Sequence, residues 1–153
     1  MTPDAPEITV RALRGTDRAA WDALWHGYLD FYDETVDDAT TDVVFHRLVD
    51  PGWPQQFGLV AEVDGALHGF AHLGLQPSTW DTASDCYLED LFVNPSSRGN
   101  GVARALFDQL VAEGRDLGWR KVHWLTETDN DTARRLYDEV GDLQDQVRYA
   151  IDL

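Results

Sequence analysis

The segment Leu88–Leu110 restricts the possible folds of this chain more than any other stretch. An apolar run, Leu91-Phe92-Val93, leads into Asn94-Pro95-Ser96-Ser97-Arg98-Gly99-Asn100-Gly101, and the helix-compatible Val102-Ala103-Arg104-Ala105-Leu106 follows. A buried strand therefore runs into a Gly-rich turn that opens a helix. The first N–H groups of a helix lack partners inside it, and the helix dipole favours negative charge at that end. Gly99 and Gly101 accept positive φ and let a ligand approach the backbone closely. A diphosphate fits such a nest of N–H groups. Two other phosphate turns fit badly. A nucleotide P-loop ends in Gly-Lys-Ser/Thr, where this chain has Gly101-Val102-Ala103. A dinucleotide fingerprint needs a third Gly or Ala three residues after Gly101, where Arg104 stands. The plain alternative is an ordinary loop-to-helix turn with two glycines.

The surrounding pattern sets this turn in an α/β domain. Ile8–Leu13 alternates as a strand, and Thr16 is a candidate cap for a helix over Asp17–Phe31. Thr40 or Thr41 is a candidate cap for a second helix ending before Pro51. Phe57–Val63 and Ala66–Leu75 read as strands joined by an Asp64-Gly65 hairpin turn. Pro77–Ser84 reads as a loop and Cys86–Val93 as a strand. The next helix runs from about Gly101 to Leu117, ended by Gly118. Val122–Thr126 is a strand, Asp131–Val140 a helix and Val147–Leu153 a last strand. The order β-α-α-β-β-β-α-β-α-β indicates an α/β (α+β) domain with a mostly antiparallel first half. With 153 residues the chain has the size of one domain, residues 1–6 forming a loose tail.

Charge narrows the ligands. The net charge is −16, and it is uneven: residues 1–97 carry 4 basic and 17 acidic residues, residues 98–153 carry 8 and 11. Nucleic acid is a poor partner for such a surface. A cationic substrate suits the acidic half, and a polyanion suits the other. The bias to 21 Asp against 7 Glu, and to 11 Arg against one Lys, fits either a GC-rich genome or a high-salt cytoplasm. No apolar run approaches the ~20 residues a membrane span needs, and the N-terminus lacks a secretory pattern, so a cytoplasmic protein is expected. Cys86 is the single cysteine, and the five histidines make no metal-ligand pattern.

The turn resembles motif A of the GNAT acetyltransferases, Arg/Gln-x-x-Gly-x-Gly/Ala, which here reads Arg98-Gly99-Asn100-Gly101-Val102-Ala103. Downstream, Asn130-Asp131-Thr132-Ala133-Arg134-Arg135-Leu136-Tyr137-Asp138-Glu139-Val140-Gly141 is similar to the family's Asn-x-x-Ala-x-x-x-Tyr-x-x-x-Gly. On a helix, Asn130, Ala133 or Arg134, and Tyr137 share one face. The resemblance implies the GNAT fold, a twisted, mostly antiparallel sheet flanked by helices. It implies acetyl-CoA as cosubstrate, with no metal. Backbone amides over Arg98–Ala103 would hold the diphosphate of coenzyme A, and the strand Leu91-Phe92-Val93 would hydrogen-bond its pantetheine arm. Asn130, with Ala133 and Arg134 beside it, would contact that arm, and Tyr137 would sit near the sulfur. Only 12 residues follow Gly141, so the resemblance implies a shortened last hairpin and leaves a homodimer open.

The acid–base requirement points to further residues. An alkylammonium attacks a thioester only after losing a proton, and with a pKa near ~10.4 about one amine in ~10³ is free at pH 7. A carboxylate base helps, and a phenol is a suitable donor to the leaving thiolate. Glu89 and Asp90 stand in the middle of an apolar strand, where a charge needs a partner or a task. Alternation sends them to opposite faces unless a bulge intervenes. Ser78-Thr79-Trp80 with Tyr87–Val93 resembles the diamine and polyamine acetyltransferase branch, and the yeast branch acting on histones and D-amino acids. That resemblance assigns proton removal to Glu89, the substrate cation to Asp90, and a border of the site to Trp80. The first helix ends in Asp30-Phe31-Tyr32-Asp33-Glu34, so Asp30, Tyr32, Asp33 and Glu34 are candidates to hold an amine by charge and cation–π contact. The expected function is direct acetyl transfer to a primary amine, in first place a small cationic one: a diamine, a polyamine or a basic amino acid derivative. A protein lysine or N-terminal acetyltransferase is the alternative within the fold, and an acyl-CoA sensor module the non-catalytic one.

Overall fold

The computed structural model describes residues 4–153. Residues 4–7 carry no regular structure and are exposed, while the start of the expected loose tail, residues 1–3, lies outside the described residues. Strand β1 (Ile8–Ala12) precedes helices α1 (Arg18–Phe31) and α2 (Asp38–Val49). Strands β2 (Gln56–Val63), β3 (Ala66–Gln76) and β4 (Asp85–Val93) follow, then α3 (Val102–Leu117), β5 (Lys121–His123) and α4 (Asp131–Val140). The five strands form one sheet in the order β1-β2-β3-β4-β5. The first three pairings are antiparallel and β4·β5 is parallel, so the expected mixed sheet is present.

The two faces of the sheet bury separate clusters. Leu59, Ala61, Ala71, Leu73, Cys86 and Leu88 pack under Val102, Leu106, Phe107 and Leu110 of α3. On the opposite face Val60, Phe70 and Phe92 pack against Trp21 and Leu24 of α1 and Phe45 and Leu48 of α2. The 3.6-residue spacing of these helical positions is what turns one stripe of each helix inward. At the β2–β3 turn, Asp64 and Gly65 take φ of 51° and 80°, the paired positive values a tight two-residue hairpin needs. Gly118 ends α3 at φ 73°.

Four local expectations differ from the structure. Thr16 does not cap α1. Residues Gly15–Asp17 form a 3-10 turn instead, and the Asp17 carboxylate accepts from the Arg14 N–H at 2.8 Å while Arg11 grips it at 2.8 Å. That guanidinium fixes Asp17 where a threonine hydroxyl would have competed. Neither Thr40 nor Thr41 caps α2. Asp37 does, accepting from the Thr40 N–H at 2.7 Å, because the cap oxygen must come from the residue three positions earlier. Strand β5 covers Lys121–His123 rather than Val122–Thr126. The expected strand Val147–Leu153 makes no ladder, and residues 142–153 are all exposed. An isolated strand has no partner for its main-chain groups and gains nothing over hydration.

Gly69 of β3 shows how closely α3 approaches the sheet. A Cβ there would stand 2.8 Å from the Phe92 carbonyl oxygen and 3.1 Å from Val102 Cγ1. The carbonyl is backbone and cannot swing aside. Gly69→Ala should therefore cost about 1–3 kcal/mol, in the range of core overpacking, measured as a lowered urea midpoint at unchanged m-value.

Candidate active site

Strand β5 pairs with β4 only over Asp85–Tyr87. Beyond Tyr87 the two strands part, and the β5-facing edge of Leu88–Val93 has no ladder partner. At the same place β4 carries a bulge. His72 pairs with Asp90 and Leu73 with Leu88, so Glu89 is the extra residue. The bulge reverses the facing: Leu88 belongs to the α3 side of the sheet and Phe92 to the α1 side, although both have even numbers. Glu89 is thereby turned into the gap. A cleft of about 380 Å³ opens there, lined by Leu88, Glu89 and Leu91 of β4, Tyr28 and Tyr32 from the end of α1, Tyr87, Trp124–Glu127, and Tyr137 of α4. Arg148, from the segment after α4, also lines it.

Asp90 stays on the α1 side, in a chain of hydrogen bonds. The Trp21 indole N–H donates to His72 Nε2 at 3.0 Å, which leaves the His72 proton on Nδ1, facing Asp90 Oδ2 at 2.9 Å. Tyr28 donates its hydroxyl to Asp90 Oδ1 at 2.6 Å. Both carboxylate oxygens are thus engaged by protein donors. Burial, with the Asp90 carboxylate beside it, pushes the Tyr28 phenol well above its ordinary range. Burial raises the Glu89 pKa as well, reinforced by the neighbouring charge of Asp90. Tyr137 packs edge-on against Phe107 and Trp124, with centroids 5.8 and 5.6 Å apart, and burial raises its phenol too. Its hydroxyl has no hydrogen-bond partner among the described residues.

The Gly-rich turn has the geometry of an anion cradle. Gly99 and Gly101 take φ of 79° and 83°, and no atom lies within 4 Å of where a Cβ would stand on either. Gly101 is the N-cap of α3 without a side-chain cap, and the first intrahelical bond is Ala105 N–H to the Gly101 carbonyl. The N–H groups of Val102, Ala103 and Arg104 are therefore free of helical acceptors. Arg98, Gly99, Asn100 and Gly101 are all exposed. This donor set suits a diphosphate. The Arg98 side chain is directed elsewhere, with Nε donating to the Val93 carbonyl and the guanidinium 5.5 Å from the Phe31 ring.

Several sequence-derived candidates take other positions. Asn130 caps α4, accepting from the Ala133 N–H at 3.4 Å and donating to Thr126 at 3.2 Å. Arg134 donates to the Thr128 carbonyl. The main-chain edge of Leu91-Phe92-Val93, expected to meet the pantetheine arm, has no ladder partner on the β5 side; of the side chains, Leu91 reaches the cleft, Phe92 is buried on the other face and Val93 packs toward α3. Trp80 does not border the cleft: it stands 90% exposed on the β3–β4 loop, where no second element packs over it. Asp30, Asp33 and Glu34 are exposed and line no part of the cleft, and only Tyr32 of that group does. Sequence reasoning missed Tyr28, Tyr87, Trp124, Glu127 and Arg148. Tyr28 carried a signal, since it sits one turn before Tyr32 on the inward face of α1. Arg148 carried none. Among the described residues no group of three His, Cys, Asp or Glu side chains is placed to hold a metal. A second hollow of about 430 Å³ lies along α1 and the β2–β3 turn, but its Arg11 and Asp17 are bound to each other.

Residues 21–141 match the acetyltransferase (GNAT) family. The chain is 30% identical over 143 residues to a D-amino-acid N-acetyltransferase of Saccharomyces cerevisiae, covering 93% of this chain and 89% of that one. It is 28% identical over 119 residues to an L-amino acid N-acyltransferase of Escherichia coli, covering 78% of this chain and 63% of the relative. Among solved structures, an aminoglycoside N-acetyltransferase in complex with CoA superposes with a TM-score of 0.83 at 19% identity, covering 99% of each chain. That likeness concerns the fold.

The cradle yields a direct test. An aspartate at position 101 would set a carboxylate against the diphosphate and place an L-residue in left-handed backbone. Gly101→Asp should weaken acetyl-CoA binding by more than about tenfold in calorimetry, the equivalent of ~1.4 kcal/mol. Gly101→Ala, equally strained and uncharged, separates the electrostatic part.

Proposed function

Because the chain belongs to the GNAT acetyltransferases and is an acetyl-CoA-dependent N-acetyltransferase, we propose that its acceptor is a small amino acid whose ammonium enters beside Glu89 and Glu127 and whose carboxylate meets Arg148. The observation that carries this is the charge of the cleft wall: two carboxylates and one guanidinium among aromatic side chains. A zwitterion complements that set, and a diamine leaves Arg148 facing a cation. Among the described residues Arg148 forms no salt bridge with the protein. The names of two relatives, an acetyltransferase of D-amino acids and an acyltransferase of L-amino acids, support the same class. Asp30, Asp33, Glu34 and the acidic half of the surface act at longer range, raising the local concentration of cations. Lysine-like acceptors satisfy both the cleft and this field.

In the proposed reaction the amine nitrogen bonds to the acetyl carbonyl carbon and the carbon–sulfur bond breaks. Glu89 takes the ammonium proton, directly or through a water. Its raised pKa makes it a better base than an unperturbed glutamate. N–H groups on the unpaired edge of β4 stabilise the charge that builds on the carbonyl oxygen. Tyr137 gives its proton to the leaving sulfur and regains the one that the nitrogen sheds as the amide forms, and burial keeps that phenol protonated until then. Asp90 works at one remove: it is a positioning residue that holds Tyr28 at the wall of the cleft.

Two experiments test this reading. Arg148→Ala should raise KM for amino acids about tenfold or more while leaving the matching decarboxylated amines within about twofold, at little change in kcat. Equal losses for both classes, or a panel in which amino acids are not accepted, would remove Arg148 from recognition and leave the acetyltransferase assignment standing. The second is the pH profile. Glu89 must be ionised to act, so kcat/KM should rise through a pKa above the usual glutamate range and level off before the amine titrates. In Glu89→Gln only free amine reacts, and the rise should continue with unit slope toward the amine's own pKa.

A further inference from the structure

Strand β3 has a bulge of its own. Ala61 of β2 pairs with Gly69 and Glu62 with Leu67, so His68 is the extra residue. The facing changes across it. Leu67 packs with Phe70 on the α1 side, although one number is odd and the other even. A Cβ on Gly69, by contrast, would meet Val102 and Leu106 of α3. A bulge frees main-chain groups and re-aims one side chain, and here both effects are directed at the turn after β4. The His68 carbonyl accepts the Asn94 N–H at 2.8 Å. The imidazole Nδ1 of His68 is hydrogen-bonded to the Ser97 hydroxyl at 2.5 Å. Ser97 is only 6% exposed, so its hydroxyl needs this partner in place of water.

We propose that His68 is a positioning residue for acetyl-CoA: through Ser97 it fixes the shape of the cradle that takes the diphosphate. The main chain of the cradle is fastened at its two ends. Arg98, Gly99, Asn100 and Gly101 between them are exposed, and neither glycine has a neighbour where a Cβ would stand. A stretch with two glycines samples many backbone shapes when free, and ordering it on binding costs affinity. At the far end Val102 is 3% exposed and stands over Gly69. At the near end the Ser97 N–H donates to the Asn94 carbonyl at 2.8 Å, and the hydroxyl is held by His68. Two successive residues of β3 therefore hold both ends of the turn, Gly69 by admitting Val102 and His68 by gripping Ser97. His68 acts through Ser97 and the main chain, at one remove from the reacting atoms, and its role is independent of the acceptor.

The inference rests on the diphosphate occupying the cradle, which Gly101→Asp tests separately. The experiment compares acetyl-CoA with S-acetylpantetheine, which carries the thioester without the diphosphate. His68→Leu and Ser97→Ala should each raise Kd and KM for acetyl-CoA about five- to tenfold, the scale of one net hydrogen bond. The kcat at saturating acetyl-CoA and the KM for S-acetylpantetheine should both stay within about twofold. His68→Asn, which offers an amide near the place of Nδ1, should recover most of the affinity. The double variant His68→Leu/Ser97→Ala should lose little more than either single one, because both remove the same bond. A general loosening of the fold would weaken both thioesters alike. That result, or unchanged acetyl-CoA affinity in Ser97→Ala, would overturn the proposal, and Ser97→Ala with His68→Asn decides it even where His68→Leu does not fold. Unchanged binding in Gly101→Asp would remove the cradle itself, whereas a loss there with none in Ser97→Ala would remove His68 alone.

Discussion

A pair of parallel strands that hold together for three residues and then separate leaves polar backbone exposed on both inner edges. In a buried sheet that arrangement costs free energy unless something else takes the hydrogen bonds. Here the separation coincides with the bulge at Glu89, which shifts the facing of β4 by one residue. Upstream, Cys86 and Leu88 anchor the strand to α3; downstream, Phe92 anchors it to α1. The strand is clamped from both faces, so the gap stays open rather than closing to regular pairing. The cleft, the direction of Glu89 and the unpaired edge all follow from this one irregularity.

The same strand has to carry two adjacent carboxylates, and the structure treats them oppositely. Asp90 is compensated by two donors, one of which, His72, is itself held by Trp21. Removing any member would strand a buried polar group, a cost of about 1–3 kcal/mol. Glu89 receives no such donor and feels both burial and the charge of Asp90. One carboxylate of the pair is thus held by hydrogen bonds, and the other is left open to the cleft.

Much of this was legible in the sequence, for identifiable reasons. The cradle at Arg98–Ala103 rests on Gly99 and Gly101, whose positive φ hardly any other residue would accept, so the residue types reveal the geometry. Helices α3 and α4 were visible through periodicity and Gly118. The bulge was visible only as a condition, since no glycine marks it and alternation alone puts Glu89 and Asp90 on opposite faces. Trp80 misled because a loop indole has no pattern to say whether anything covers it. Asp30, Asp33 and Glu34 misled because an acidic helix end looks the same whether it faces a ligand or water. Arg148 was invisible because its place in the cleft depends on how the segment after α4 is routed, which no local period encodes. The expected strand Val147–Leu153 misled because alternation alone supplies no partner, and these residues join no ladder.

The location of Arg148 gives the electrostatics a finer grain than the division into an acidic and a less acidic half. In the acidic half two of the four cations are spent on structure: Arg11 holds Asp17 and Glu62, and Arg18 holds Asp22 and Asp42. They add little stability as surface pairs, and none of the four basic residues of that half lines the cleft. Among the described residues Arg148 is the one guanidinium that lines it, and it arrives on the segment after α4. Its sequence neighbours Val147 and Tyr149 are both exposed. The proposed selectivity for a carboxylate therefore rests on the routing of a segment that carries no regular structure.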